Sequence, residues 1–322
     1  LPDVFNRYLT FYRPGLQMVV FLALLSMSWF TGAFVLGWIQ ESLLGMNAEA
    51  LQQLKEIPPH LHIPFKLSEA AALLLLLFLP AILFAYLAFP RPAEYLRLQK
   101  APPAGLFLLF LILLLLALPF SGLLEQWNAG ISAGKGLKEL DERYTVMARA
   151  MLSGSSTGDL LLNLLVLCLV PAVVEEVFFR GCLQQILLAW MPGRHWMALL
   201  LCAAIFSAFH GQMSAFVPRL FLGLLLGMAV YWSGSLWPAI GMHALNNAMT
   251  VVLYFLYHKG VLSVDLTNLP DVPLWLGLLS AALTAGLLYV LWLRRKAWIV
   301  LQVSDEPTSF PEQTISNDDD TP

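Results

Sequence analysis

Charge is what this sequence has least of. Asp, Glu, Lys and Arg make up 12% of its 322 residues, against 59% hydrophobic residues, where a soluble globular domain carries about a quarter charged residues. Acids and bases nearly balance, 21 to 18, for a net charge of −3, so no basic surface is available and no nucleic-acid partner is expected. Cysteine is scarce too. Cys168, Cys182 and Cys202 each fall inside an apolar run, with neither paired metal-ligand spacing nor a disulfide framework, and read as small buried side chains. H-E-x-x-H is missing, which removes the familiar zinc-protease helix. No internal repeat is evident, which tells against a proton-coupled transporter built from inverted halves.

What the chain does have is length of apolar sequence. Gly15 to Ile39, Ala70 to Pro90, Gly105 to Leu124, Leu220 to Tyr257 and Val272 to Leu293 contain no charged residue. A hydrocarbon core about 30 Å thick takes roughly 20 apolar residues per spanning helix. Backbone polar groups cannot face lipid unpaired, and these runs are too long for barrel strands, so the expected fold is an all-α, polytopic helical bundle. Eight spans are expected, at 15–39, 68–90, 105–124, 156–190, 195–212, 216–234, 236–257 and 271–294. The fourth is too long for one straight span and is expected to tilt or to run on into the interface beyond Arg180.

The chain divides accordingly into N-terminal helices with a surface element (1–155), a core (156–257), a last span (258–296) and a tail (297–322). Within 125–155, Leu137, Leu140, Tyr144, Met147 and Met151 recur at helical spacing opposite Lys138, Glu139, Glu142 and Arg143, the pattern of an amphipathic helix lying on a membrane surface. His60 and His62 have no third ligand nearby and read as a solvated loop. The last 18 residues hold six acids and no Lys or Arg, so the tail is expected to be disordered. Eight spans put both termini on one side. Lys and Arg split nine on the terminal side to eight opposite, Lys66 and Arg219 among the eight, and the cluster Arg294, Arg295, Lys296 on a helix end tips the expectation to cytoplasmic termini.

Between Asp159 and Asp265 the only acids are the neighbours Glu175 and Glu176. An ionised side chain at the bilayer centre costs about 2.5–3.5 kcal/mol on insertion scales, so two adjacent acids are expected to face a wet, protein-lined cavity. Glu176 and Arg180, four apart, share a helix face. Glu175 is rotated about 100° away and has no local cation, so one carboxylate reads as paired and the other as free to act. Pro171 frees a carbonyl in the preceding turn and can kink the helix beside the acids. His210 ends the apolar run LLLCAAIFSAFH, and His243 and Asn247 lie one turn apart in WPAIGMHALNNAMT, with Asn246 less directly on the same face. Any one of these positions reads equally well as a helix-packing contact; the set, confined to otherwise uncharged helices, points to a site. A carboxylate and an imidazole can activate a water, and a second imidazole with an amide can stabilise an oxyanion. Together they suffice for amide hydrolysis without a Ser or Cys nucleophile. Zinc held by Glu, His and His stays open in principle, but no cofactor is expected.

E-E-x-x-x-R at Glu175–Arg180, F-x-x-x-H at Phe206–His210 and H-x-x-x-N at His243–Asn247 resemble, in order and spacing, the motifs of the CPBP family. These are the CAAX-processing and bacteriocin-processing membrane proteins, including the type II CAAX prenyl endopeptidases. The resemblance covers residues 157–257. It implies an eight-helix membrane fold and a glutamate-dependent intramembrane endopeptidase acting on a membrane-associated protein or peptide in the bilayer, with a bacterial cytoplasmic membrane as the expected location. By position, Glu175 resembles the water-activating base and His210 its partner. His243 and Asn247 resemble the oxyanion pair, Glu176 and Arg180 the supporting pair, and Phe206 the packing residue. The alternatives are a non-proteolytic immunity or binding member of the family and a zinc-dependent form of the protease.

Overall fold

The computed structural model describes residues 9–46, 50, 57–131, 135–263 and 271–304. Among them there is no strand, and nine helices of more than ten residues carry the architecture. These are α1 (Pro14–Leu44), α2 (Pro59–Ala88), α3 (Ala104–Ile131), α4 (Lys135–Leu152), α5 (Thr157–Trp190), α6 (His195–Phe209), α7 (Phe216–Ser233), α8 (Trp237–His258) and α9 (Leu274–Ser304). Seven of them are long and apolar enough to cross a membrane. The remaining expected span, 195–212, is the 15-residue helix α6, about 22 Å long at 1.5 Å per residue. That is short of a hydrocarbon core of about 30 Å, so α6 alone does not reach across one from end to end. α9 continues to Ser304, past the expected end of the last span; the rest of the tail expected to be disordered lies outside the described residues.

Lipid-facing helices betray themselves by exposed aromatics. Phe30 and Phe34 on α1 are 83% and 81% exposed and Trp275 on α9 is 67% exposed, which only a non-aqueous surround makes favourable. The interior is built on the second half of α5. Val174 to Gln184 are buried without a break, packed among Phe21, Phe84, Leu199, Leu225 and Met242. Beyond Arg180 the helix runs on largely buried to Leu187, and its last two residues, Ala189 and Trp190, are exposed. It is not uniformly α-helical: π-helical stretches at Leu164–Leu169 and Val177–Leu183 bracket the α-helical Val170–Glu176. Wide turns of this kind recur at functional sites because they re-aim the side chains that follow.

The expected surface helix is α4. Tyr144 and Met147 are 40% and 36% exposed, while Met151 packs against Leu44, Ile57, Leu61, Phe65 and Ala150; the side chains of Leu137 and Leu140 lie outside the described residues. Buried Lys66 of α2 fastens the end of α4. Its Nζ donates to the Ser153 carbonyl at 2.7 Å and to Asn163 Oδ1 at 2.8 Å, placing a cation at the negative end of that helix. The three cysteines are free and buried, as read from the sequence. His62 Nε2 bonds its own turn at the Ile57 carbonyl, 2.8 Å away.

Candidate active site

The helix carrying the two acids begins at Ser156, which caps α5 with a reciprocal pair of bonds to Asp159. Gly154-Ser155-Ser156-Thr157-Gly158 happens to have the G-x-S-x-G spacing of a nucleophile elbow. Its serine is spent on that cap, and no strand precedes it, so the string carries no nucleophile.

Some 30 Å along α5, Glu176 is fully buried. Its Oε1 accepts from Arg180 Nη1 at 3.0 Å and from His243 Nδ1 at 2.8 Å. Arg180, equally buried, donates its Nη2 to the Gly223 carbonyl at 2.9 Å and lies 4.3 Å over the ring of Phe206. Phe206 also presents itself edge-on to His210 and His243, at 4.9 Å and 6.0 Å between ring centroids. One aromatic ring thus spaces the cation and both imidazoles.

Glu175 has a different environment. Its Oε2 is buried and has no hydrogen-bond partner. It faces His210 Nε2 at 3.6 Å and His243 Nε2 at 4.0 Å. The tautomers follow from the partners of the other ring nitrogens. His210 Nδ1 lies 2.9 Å from the Phe206 carbonyl, which can only accept, so Nδ1 carries the hydrogen. His243 Nδ1 likewise donates to the Glu176 carboxylate. In their neutral forms both imidazoles therefore aim Nε2 lone pairs towards a carboxylate oxygen. Three acceptors converge on one point, which only an O–H donor, an added proton or a cation can satisfy.

His210 reaches this point because α6 stops there. Gly211 follows at φ +68°, a conformation open to glycine without a Cβ penalty, and turns the chain into α7. The turn between α6 and α7 is tied to the rest of the protein: Asn128 Nδ2 of α3 donates to the Met213 carbonyl at 2.7 Å, and Ser207 Oγ to the Phe216 carbonyl at 2.7 Å.

Asn247 stands slightly apart. Its Nδ2 donates to the Leu167 carbonyl at 3.1 Å, and its Oδ1 accepts from Asn246 at 3.3 Å. Leu167 lies four residues before Pro171, so this is the carbonyl the proline deprives of its helical donor. Asn247 makes no hydrogen bond to Glu175, His210 or His243 among the described contacts, and its second amide hydrogen stays available.

Three participants were not singled out in the sequence. Gly223 and Gly227 of α7 receive Arg180 Nη2 and Gln184 Nε2 at their carbonyls, 2.9 and 3.2 Å away. Their G-x-x-x-G spacing, a known signal for close helix approach, could have revealed them. Arg219, one turn earlier on the same face, enters the sequence reading only through the count of charges that sets orientation. A Cβ on Gly223 would stand 3.1 Å from Phe206 Cδ1 and 3.4 Å from Arg180 Nη2. Gly223→Ala is therefore expected to cost about 1–3 kcal/mol of stability and to lower any activity with it. Gly286→Ala, where a Cβ meets nothing, should be neutral or slightly stabilising. Unfolding midpoints of the two variants in detergent check this, and equal midpoints would refute it.

For a metal, Glu175, His210 and His243 are chemically a suitable set, and both histidines have the outer nitrogen fixed by an acceptor as metal-binding histidines do. Among the described residues, however, no group of three or more His, Cys, Asp or Glu side chains is arranged to hold a metal ion.

No curated protein and no solved structure matches the chain. Residues 157–249 match the model of the family described as type II CAAX prenyl endopeptidase Rce1-like, and this stretch holds every residue of the three motifs.

Proposed function

We propose that this protein is an intramembrane endopeptidase that hydrolyses a peptide bond of a membrane-associated substrate with water activated by Glu175 and His210. The observation that carries the proposal is the unpartnered Glu175 Oε2 with two imidazole Nε2 atoms facing it at 3.6 and 4.0 Å. A water donating one hydrogen to Glu175 and the other to His210 satisfies two of the three acceptors and turns its own lone pair outward for attack. Glu175 takes the proton as the water adds to the carbonyl carbon and delivers it to the leaving amine. The Rce1-like match supports protease chemistry for this segment.

Oxyanion stabilisation falls to His243 and Asn247. His243 Nδ1 already donates to Glu176, so Nε2 can donate only when the ring is an imidazolium. Asn247 supplies its second Nδ2 hydrogen. Because its first is bonded to Leu167, Asn247→Ala is expected to do two things. Turnover falls about 10²–10³-fold with little change in apparent substrate affinity, and stability falls by about 1 kcal/mol for one lost hydrogen bond. A loss of stability with turnover intact would leave Asn247 a helix tie alone.

The test is a cleavage assay on purified protein against substrates that accumulate uncut in Glu175→Ala membranes. Wild-type protein that cuts none of them would argue for a binding or immunity role. The same assay tests the alternative of a zinc-dependent protease. Chelator-sensitive cleavage, with metal lost in His243→Ala, would establish it over the metal-free mechanism.

Cytoplasmic termini, in a bacterial cytoplasmic membrane, are part of the proposal. Lys66 and Arg219 lie within helices and are hydrogen-bonded inside the protein, leaving six far-side loop charges against nine. Val261→Cys, 68% exposed as valine in the wild type, is then expected to react with an impermeant maleimide from outside intact cells. Labelling only after lysis would reverse the orientation.

A further inference from the structure

The hydrogen bonds between α5 and α7 fix a register. Arg180 meets Gly223 and Gln184 meets Gly227, both 43 residues apart, and the two helices run in the same direction. One turn earlier, the same offset sets Arg219 opposite Glu176, at the level of the acids. Arg219 and Glu175 are in electrostatic range of each other. The guanidinium is held from one side only. Nη2 donates to Gln212 Oε1 at 2.9 Å, in the turn two residues after His210, while Nη1 is buried and has no hydrogen-bond partner. Glu125 and Tyr144 are within electrostatic range, but neither forms an ion pair with Arg219 among the described residues. A guanidinium with one buried N–H group unspent is a strong anion seat, since a carboxylate fits its planar fork.

Resting on the endopeptidase reading above, we propose that Arg219 is a substrate-binding residue whose free Nη1 side receives a carboxylate of the substrate, positioning the peptide beside Glu175. The carboxylate can be the end of the chain or an acidic side chain near the scissile bond. Gln212 acts as the positioning residue, since it fixes the fork to the turn that carries His210.

The probes are N-acylated octapeptide libraries in zwitterionic nanodiscs, in three forms: free-acid C-terminus, amidated C-terminus, and amidated with a Glu near the end. Wild-type protein is expected to prefer a carboxylate-bearing form by about 10- to 100-fold in KM, the range of one charge-assisted hydrogen bond, with kcat similar. The form preferred identifies the source of the carboxylate. Arg219→Gln should raise KM for the carboxylate-bearing forms to that of the plain amides, and Arg219→Lys should retain part of the preference. Cleavage without any carboxylate preference overturns the assignment and leaves the protease standing. Equal losses on all three forms in Arg219→Gln reduce Arg219 to a structural cation. A preference that appears only when anionic lipid is added would assign Arg219 to a lipid headgroup instead. Binding to the Glu175→Gln protein, read as a shift of its unfolding midpoint by each library, keeps the two readings separable. Arg219-dependent stabilisation by the carboxylate forms, with no cleavage by wild type, would uphold the docking point and sink the protease.

Discussion

Glu175→Gln is expected to lower turnover by about 10²–10⁴-fold, the usual worth of a positioned general base, while the protein folds as before. The two halves of this expectation come from the same atoms. Glutamine keeps the shape of the side chain but cannot take a proton from water, so the chemical step loses its base. Glu175 Oε2 has no hydrogen-bond partner to lose, and removing a buried charge relieves its desolvation cost. The unfolding midpoint in detergent should therefore hold or rise. KM should change little, because the carboxylate acts on the water and not on the resting peptide. Turnover and melting are measured on the same preparation. A fully active Glu175→Gln beside a stable but inactive Glu176→Gln would exchange the roles of the two acids.

The division between the acids was legible in the sequence because it depends only on helix geometry. Four-residue spacing stacks Glu176 on Arg180, and a 100° rotation points Glu175 elsewhere. The helical, polytopic class was legible for an equally local reason, the length of uncharged runs. What needed coordinates was everything contributed by a second helix. Pro171 announced a freed carbonyl, but nothing in the chain's order told that Asn247, 80 residues later at Leu167, would take it up. His243 was grouped with Asn247 by its spacing, yet its Nδ1 partner is Glu176, on another helix. The π-helical turns that shift the face of α5 after Glu176 leave no periodic signature of their own. α6 was read as a full span because hydrophobicity reports composition, not where a turn is placed. The side chain that ties that turn down belongs to Asn128, 85 residues away. Arg219 enters the sequence reading only as one charge in the orientation count, since its register with Glu176 exists only through two glycine carbonyls on a neighbouring helix.

The largest expected effect on stability belongs to the other acid. Glu176→Gln keeps an oxygen that can still accept from Arg180 and His243, so it removes charge with little change of shape. Arg180, fully buried, is then left with neutral partners alone: the glutamine oxygen, a glycine carbonyl and the face of Phe206. Breaking a buried pair from one side costs about 3–5 kcal/mol, and the variant is expected to unfold at a markedly lower midpoint and to accumulate poorly in membranes. Arg180→Met alone should be equally damaging, because it strands the Glu176 carboxylate. The double variant Glu176→Gln with Arg180→Met removes both charges, and buried pairs replaced together are often neutral; stability is expected to return to near the wild-type value. Activity should not return with it. His243 would lose the carboxylate that balances an imidazolium, and with it the charge that lets Nε2 donate to an oxyanion. A stable, inactive double variant thus separates the structural duty of the pair from its service to His243. If all three variants melt like wild type, the ion pair is not the buried strut described here. If the double variant is stable and fully active, Glu176 supports the fold alone and His243 needs no charged partner.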